Sequence, residues 1–202
     1  MARVLLYYAH PGHRFSRANA ALFEAARAVE GIEALDLYAA YPRHDIDVRA
    51  EQARLLGHDV VVIQCPLFWY STPALVKEWQ DLVLQYGFAY GPGGTALAGK
   101  ALLFALTVGA GAEAYARGGF NHYPLRTFLT PLERTATLCG MRFLAPYVLY
   151  GALAAPGEGG LAPHVEGYTR LLSALRDDRL DLDAAEQAET LAHDSLPQLE
   201  AR

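Results

Sequence analysis

The sequence is poor in cysteine and in charge, and it contains no cluster of basic residues. Its two cysteines, Cys65 and Cys139, are far apart and belong to no Cys-x-x-Cys or Cys/His grouping. Neither a disulfide framework nor a metal site is therefore predicted. Charged residues make up 19% of the chain and the formal net charge is −5. Because nucleic acids and anionic membranes are bound by clustered Lys and Arg, neither is expected as the main partner.

Long apolar runs are also lacking. No window approaches the ~20 apolar residues that a bilayer-spanning helix needs. The apolar run Val4 to Ala9 is too short for a signal peptide. We therefore expect a cytoplasmic protein, in a reducing compartment that suits unpaired cysteines. An apolar fraction of 52% over 202 residues is enough for the core of one domain.

Apolar runs recur along the chain as candidate strands. Three of them are continuously apolar, as in strands covered on both faces of a parallel sheet. Of the other two, one is weaker and one contains Pro146, which cannot donate to a strand ladder and so predicts an edge position. The predicted strands are Arg3–Tyr8, Ile32–Leu37, Val60–Gln64, Ala101–Thr107 and Phe143–Tyr150.

Helical patterns separate these runs. Ser16, Asp47 and Thr72 are predicted N-caps, the last followed by a proline at the first helical position. The three helices that they begin extend to about Gly31, Leu56 and Tyr86. Two more helices are predicted over Phe128–Cys139 and from about Pro163 to Arg176.

This alternation of strands and helices predicts an α/β fold. Right-handed crossovers would place helices on both faces of a parallel sheet, giving a three-layer sandwich. Five strands fit the flavodoxin-like order 2-1-3-4-5 better than a six-stranded Rossmann sheet. The domain is expected to span residues 1–178. Residues 179–202 form an acidic C-terminal tail that we expect to be peripheral or partly disordered.

In a sheet of this order, ligands bind at the carboxyl ends of the strands near strands 1 and 3. The first loop there, His10 to Asn19, leads into a helix N-terminus, whose free N–H groups favour an anion. Ser16 adds a side-chain donor and Arg17 adds positive charge. The loop is neither a P-loop nor Gly-x-Gly-x-x-Gly, so it favours a single phosphate over a dinucleotide. The alternative is that Ser16 only caps the helix and His10 packs at the strand end.

The second loop, Cys65 to Pro73, is aromatic. Phe68, Trp69 and Tyr70 are suited to cover one face or edge of a flat heteroaromatic ring at the end of a central strand. The alternative is an aromatic cluster that packs beneath the following helix.

The third loop, Val108 to Tyr123, is rich in glycine and alanine. Small residues let the backbone approach a ligand, and successive N–H groups can bind an anion. Several backbone N–H groups beside a flavin would favour two-electron chemistry. Tyr115 and His122 are the proton-carrying side chains of this loop. The alternative is a flexible surface loop.

Several groups of residues occur in the order found in one family. They are Tyr8-Ala9-His10-Pro11 with Ser16 and Asn19, Pro66 to Ser71 with Pro73, Leu75, Lys77, Trp79 and Asp81, Phe88 to Gly91, Gly94 to Leu97 with Gly99-Lys100, and Cys139-Gly140. With them, residues 1 to about 176 resemble the flavodoxin-like NAD(P)H:quinone oxidoreductases. The resemblance is strongest to the small FMN-containing branch that includes ancillary oxidoreductases of glutathione-gated potassium efflux systems.

The resemblance implies bound FMN, NADPH or NADH as co-substrate, ping-pong two-electron reduction of a quinone, and a homodimer. It implies catalytic roles for Tyr115 and His122. Tyr115 matches the family's tyrosine in this loop by direct spacing, whereas His122 matches the family's histidine only if one residue is inserted. The family's glycine pair reads Gly109-Ala110-Gly111 here. The implied FMN-binding residues are His10, Ser16, Arg17, Ala18, Asn19, Leu67, Phe68, Trp69, Tyr70, Val108, Gly109, Ala110 and Gly111.

Two alternatives stay open at this point. The chain could be an ancillary regulatory subunit that docks on a potassium efflux transporter at the inner membrane. It could also be a flavodoxin-type electron carrier, although that class expects a hydroxyl-rich phosphate loop, unlike His10 to Asn19. Arg117 and Arg126 are the candidates to meet the 2′-phosphate that distinguishes NADPH from NADH.

Overall fold

The computed structural model describes residues 1–157 and 159–200. Within them the sheet has six parallel strands in the order β2-β1-β3-β4-β5, with β6 also paired to β4. The order 2-1-3-4-5 predicted from the sequence is therefore confirmed. The strands are β1 Val4–Tyr8, β2 Ile32–Asp36, β3 Val60–Pro66, β4 Ala101–Thr107, β5 Arg142–Phe143 and β6 Tyr147–Leu149.

The predicted fifth strand, Phe143–Tyr150, is divided in two. Phe143 pairs with Leu102, whereas Tyr147 pairs with Ala105 further along β4. Between the two segments Pro146 has no N–H to donate, and the amide of Ala145 donates to the carbonyl of Ala185 instead of to β4. The ladder is interrupted there, so one edge strand becomes β5 and β6.

Helices connect the strands and cover both faces of the sheet. They are α1 Ala18–Arg27, α2 Leu37–Ala40, α3 Val48–Gly57, α4 Ala74–Val83, α5 Leu125–Phe128, α6 Thr130–Leu138, α7 Leu161–Arg176, α8 Leu182–Gln187 and α9 Leu196–Leu199. The predicted helix Phe128–Cys139 corresponds to α6, which begins two residues later, and the short helix α5 before it was not predicted.

One of the three predicted N-caps is confirmed and two lie one residue early. Asp47 caps α3, where its side chain accepts from the amide of Ala50 at 3.0 Å. The N-caps of α1 and α4 are Arg17 and Pro73. Ser16 still serves α1, because its hydroxyl accepts from the amide of Ala20 at 3.2 Å.

The core has one large apolar cluster on each face of the sheet. Successive residues of β1 alternate between them: Leu5 and Tyr7 belong to one cluster, Val4 and Leu6 to the other. This alternation is what a strand buried on both faces requires. The helices α3, α4 and α6 cover the first face, and α1 and α7 cover the second.

A buried carboxylate joins α3 to the sheet. Glu51 is inaccessible to solvent and accepts hydrogen bonds from the hydroxyls of Tyr7 and Tyr41, both at 2.6 Å, and from Trp79 Nε1 at 2.9 Å. It also forms an ion pair with Arg54. Burial, followed by the contact with Glu51, raises the pKa of Tyr41 to about 12.

The C-terminal tail is part of the folded domain, which corrects the expectation of a peripheral segment. Its residues Leu180, Ala185, Leu191 and Leu196 are buried in the cluster beneath α7. The amide of Leu191 donates to the carbonyl of Pro146 at 2.8 Å. Apolar side chains spaced among acidic ones explain the docking, because the acidic residues remain at the surface while the others are removed from water. Residues 201 and 202 lie outside the described part of the chain.

Arginines of the domain hold the tail in place. Arg142 pairs with Asp183 and, at 2.6 Å, with Glu186. Arg126 donates to the carbonyls of Glu186, at 2.6 Å, and Ala188.

Among the described residues no helix is both long and apolar enough to cross a membrane.

Candidate functional site

The three loops predicted from the sequence meet at one cavity. It lies at the carboxyl ends of β1, β3 and β4 and has a volume of about 420 Å³. This is the position at which an open parallel sheet binds its ligands. The lining residues are His10, Phe15, Ser16, Arg17, Ala18, Asn19, Pro66, Leu67, Phe68, Thr107, Val108, Gly109, Ala152 and Leu153.

Nine of the proposed site residues line this cavity and six do not. The nine are His10, Ser16, Arg17, Ala18, Asn19, Leu67, Phe68, Val108 and Gly109, and the six outside the lining are Trp69, Tyr70, Ala110, Gly111, Tyr115 and His122. The six residues lie outside the lining because the second and third loops turn away from the sheet after their first residues.

The first turn of α1 presents unused hydrogen-bond donors to the cavity. The amides of Ala18 and Asn19 have no hydrogen-bond partner in the described part of the chain, as expected for the first residues of a helix. The side chain of Arg17, at the N-cap, is exposed and pairs with no carboxylate of the described residues. Two free amides, a helix dipole and one guanidinium together favour a phosphate group.

His10 presents a defined tautomer to the same cavity. Its Nδ1 accepts a hydrogen bond from the amide of Gly12 at 3.1 Å, so the ring proton of the neutral form is on Nε2. Burial, followed by the nearby His13, lowers the pKa of His10. The imidazole is therefore neutral at pH 7 and acts as a hydrogen-bond donor through Nε2.

The second loop forms a tight turn with aromatic residues at its tip. Phe68 and Ser71 exchange backbone hydrogen bonds of 2.9 and 3.0 Å. Between them Trp69 and Tyr70 have φ values of 49° and 63°, as in a type I′ turn. Glycine and asparagine are the usual residues there, so this turn holds two bulky side chains in a strained backbone conformation. Trp69 is 94% exposed as a result.

The third loop is folded on itself. The amides of Asn121 and His122 donate to the carbonyls of Ala114 and Gly119, both at 2.9 Å. A Cβ atom on Gly119 would lie 2.2 Å from the carbonyl oxygen of Glu113, so this close approach requires glycine. Its own backbone contacts therefore hold the loop in this conformation.

An aromatic cluster around Phe128 joins the second and third loops beside the cavity. The ring of Tyr70 stacks on Phe128 with centroids 4.9 Å apart, and Tyr115 and Tyr123 each approach it edge-on at 6.1 Å. Tyr115 also packs against Tyr150 at 5.8 Å. Burial raises the pKa of Tyr115, so its hydroxyl is protonated at neutral pH and can donate.

Five lining residues were not predicted, and they fall into two groups. Phe15, Pro66 and Thr107 lie within or next to segments that the sequence analysis singled out. Ala152 and Leu153 belong to a turn after β6, where no motif points to a site. The turn is attached to the third loop by hydrogen bonds from the amides of Gly151 and Ala152 to the carbonyls of Ala110 and Val108, both at 2.9 Å.

Arg126, one of the two candidates to bind the 2′-phosphate of NADPH, already binds other groups of the protein. Arg126 is bound to the carbonyls of the tail and pairs with Glu133 at 3.0 Å. Arg117 is exposed on the third loop and remains the candidate.

Fold and site together define the class of protein. A parallel sheet of order 2-1-3-4-5 with a cavity at the carboxyl ends of its central strands is the arrangement of flavodoxin-like α/β proteins. The chain belongs to the family described as the flavodoxin-like fold, whose model matches residues 2–172.

Relatives and solved structures agree with this assignment. The glutathione-regulated potassium-efflux system ancillary protein KefG of Enterobacter sp. (strain 638) is 43% identical over 86% of this chain and 94% of its own. The FMN complex of general stress protein 14 from Treponema denticola has a TM-score of 0.77 and 34% identity, covering 87% and 98% of the two chains. A putative quinone reductase from Klebsiella pneumoniae has a TM-score of 0.75 and 28% identity, covering 87% and 85%.

Proposed function

We propose that this protein is an FMN-dependent NAD(P)H:quinone oxidoreductase that reduces quinones and similar aromatic acceptors by two electrons in a ping-pong sequence. The observation that carries the proposal is the composition of the cavity. At one end are the free amides and the guanidinium of the α1 N-terminus, and along its side is an apolar wall of Leu67, Phe68 and Val108. A phosphate attached to a flat, largely apolar ring system matches both parts.

The residues present fit FMN as the bound group. The donor set at Arg17, Ala18 and Asn19 suits one terminal phosphate, and the amide of Gly109, which has no partner among the described residues, is free for a polar ring edge. When bound, FMN supplies two-electron redox chemistry between NAD(P)H and a quinone. The protein binds and orients the group, and Leu67 and Phe68 exclude water from one side of it.

Two side chains of the third loop are proposed to act on the acceptor. Tyr115 holds its proton at neutral pH, so it can donate a hydrogen bond to the oxygen of a quinone as negative charge develops there. His122 lies on the same loop, exposed and with a φ of 63°, and is the proposed second donor. Because both lie outside the cavity lining, they suit a substrate at the mouth of the site.

We also propose a homodimer whose interface covers this mouth. Phe68, Trp69, Phe120 and Tyr123 are exposed in the second and third loops, and monomeric proteins seldom leave so many aromatic residues in water at one edge. Light scattering tests the proposal with Trp69→Asp: a dimeric wild type and a monomeric variant are expected, and a monomeric wild type would contradict it.

The decisive experiment is a visible spectrum of the purified protein followed by anaerobic titration with NADPH. We expect a flavin spectrum that bleaches directly to the two-electron form and recovers when a quinone is added. A persistent one-electron form would favour an electron carrier instead. If no flavin binds even after incubation with FMN, the cofactor and the activity proposed here are both wrong.

The relationship to KefG favours one second candidate. The chain would be an ancillary subunit, cytoplasmic and peripheral at the inner membrane, that docks on a potassium efflux transporter. Co-purification of the full chain with a membrane transporter at a fixed ratio would support this function. A full chain that oxidises NADPH with a quinone but does not co-purify with any transporter would rule out the docking function and leave the enzyme.

A further inference from the structure

Gln64 is the only polar residue of the apolar run Val60 to Cys65, and it is fully buried. Its side-chain Nε2 donates to the backbone carbonyl of Asn19 at 2.8 Å and lies 3.4 Å from Asn19 Oδ1. Its Oε1 is buried and has no hydrogen-bond partner in the described part of the chain. An unpaired buried amide oxygen costs about 1–3 kcal/mol, so stability alone does not account for a glutamine here.

The contacts of Gln64 continue toward the cavity. Asn19 Nδ2 donates to Thr107 Oγ1 at 2.5 Å, so the two side-chain amides and the hydroxyl form a directed series. The NH₂ group of Gln64 faces the oxygen of Asn19, which turns the NH₂ group of Asn19 toward Thr107. Because Thr107 Oγ1 accepts from Asn19, the proton of its hydroxyl points elsewhere. Asn19 and Thr107 line the cavity, whereas Gln64 does not.

The side chain of Gln64 is not needed for the sheet itself. The main chain of Gln64 pairs with Tyr8 in β1 and Ala105 in β4, and its carbonyl accepts from the amide of Ala9 at 2.9 Å. All of these bonds survive a side-chain substitution. What the side chain adds is one connection between β3 and the first turn of α1, the turn that carries the free amides.

We propose that Gln64 is a positioning residue for the phosphorylated ligand of this cavity. Without touching the ligand, it fixes the amide orientation of Asn19 and the place of the first turn of α1 relative to Thr107. This inference rests on the proposed function, since it takes FMN as the ligand. It predicts that cofactor affinity depends on a hydrogen-bond donor at position 64.

The test compares FMN dissociation constants, from flavin fluorescence quenching, with the melting temperatures of the cofactor-free proteins. The methionine of Gln64→Met has a similar length to glutamine but no hydrogen-bond donor. We expect FMN affinity to fall about tenfold in this variant. The melting temperature should stay equal or rise, because the unpaired oxygen is gone. Gln80→Met is the matched control. Gln80 is a buried glutamine of α4 outside the cavity lining, and its substitution should leave FMN affinity unchanged.

Gln64→Glu provides the conservative rescue. Burial raises the pKa of a carboxyl group, so at low pH the neutral side chain can donate to Asn19 and FMN should bind almost as in the wild type. As pH rises and the carboxyl ionises, the donor is lost and affinity should fall relative to the wild type. A structural role alone would change the melting temperature without this pH profile.

The outcomes separate the two proposals. If the wild type binds FMN and Gln64→Met binds it with the same dissociation constant, Gln64 is not a positioning residue and the proposed function stands. If Gln64→Met weakens binding but Gln64→Glu follows the wild type at every pH, the donor requirement is wrong. If the wild type itself binds no FMN, the proposed function fails, and this inference with it.

Discussion

The amide of Gly12 and Nδ1 of His10 are joined by a hydrogen bond of 3.1 Å, and this contact decides which ring nitrogen faces the ligand. With Nδ1 occupied as an acceptor, the neutral imidazole has its proton on Nε2. Because burial lowers the pKa of His10, this form persists at neutral pH. The proposed FMN site thereby has an uncharged donor beside the cationic Arg17.

Removal of the His10 donor is expected to weaken cofactor binding. We expect His10→Leu to raise the FMN dissociation constant about two- to thirteenfold, the value of one hydrogen bond of about 0.5–1.5 kcal/mol. His10→Gln, whose amide can place an N–H near the position of Nε2, should retain most of the affinity. Equal affinities for His10→Leu and the wild type, measured by fluorescence titration at pH 7, would show that the ring does not contact the cofactor.

Tyr115 and His122 are expected to affect turnover and not cofactor binding. In Tyr115→Phe and His122→Ala we expect kcat for a quinone to fall about tenfold or more, since a positioned proton donor contributes about 10²–10⁴ in rate. Bound FMN should remain stoichiometric. Tyr123→Phe is the matched control, because Tyr123 also packs edge-on against Phe128. Unchanged stopped-flow rates in both variants would remove the two residues from the mechanism.

Glu51 is expected to be among the most sensitive positions for stability. Its carboxylate accepts from Tyr7, Tyr41 and Trp79, and Glu51→Leu would leave these three donors without their acceptor, whereas Arg54 keeps its ion pair with Glu33. A buried donor left without an acceptor costs about 1–3 kcal/mol, and because several donors are affected we expect a loss of about 3 kcal/mol or more in the free energy of unfolding by urea. The control Glu24→Leu breaks an exposed pair with Arg27 and should cost less than about 1 kcal/mol. Similar losses in the two variants would contradict the prediction.

Acid sensitivity is expected to depend on His164. This buried histidine of α7 stacks on Tyr147 with ring centroids 4.2 Å apart, and its Nε2 has no partner among the described residues. Burial, followed by the nearby His193, lowers the pKa of His164 to about 4. The unfolded chain therefore takes up a proton near pH 6.5, before the folded one does, and stability falls as pH decreases from about 6.5 to about 4.

The size of this effect follows from the pKa difference. At about 1.4 kcal/mol per unit of pKa, the contribution is on the order of 3 kcal/mol. We expect His164→Phe to lose less stability than the wild type between pH 7 and pH 4, as measured by urea unfolding at a series of pH values. Parallel curves for the two proteins would show that His164 is not the group responsible.

Docking of the tail is expected to stabilise the whole domain. Leu191 is fully buried against the core, and Leu191→Ala should cost about 2–5 kcal/mol, as large-to-small substitutions in cores do. Leu153→Ala, at a position that is 82% exposed, should change stability by no more than about 0.5 kcal/mol. Equal melting temperatures for Leu191→Ala and the wild type would mean that the tail does not contribute to the core in solution.

Much of the architecture could be predicted because its signals are local. The continuous apolar runs at Val60–Gln64 and Ala101–Thr107 identify strands covered on both faces, and strand order follows from the alternation of elements. The three loops were placed at one edge on the same basis, and they do line one cavity. Errors of one residue at the α1 and α4 N-caps are the usual uncertainty of helix ends.

The features that differ from the predictions involve contacts between distant parts of the chain. The division of β5 from β6 depends on the contact of Ala145 with Ala185 in the tail as well as on Pro146. The place of Tyr115, against Phe128 and Tyr150 and outside the cavity lining, depends on how the third loop folds back on itself. Neither relationship leaves a periodic pattern in the sequence.

The sequence by itself determined the class of fold, the edge of the sheet that carries the site and the helix end that offers donors to a phosphate, because hydrophobic periodicity and capping act over a few neighbouring residues. The tertiary structure alone decided that the apolar residues of the acidic tail enter the core and that Leu153 belongs to the cavity lining. It also decided that Gln64 contacts Asn19, which in turn contacts Thr107, 88 residues after Asn19. These features depend on packing and hydrogen bonds between side chains that meet only after the strands and helices have assembled.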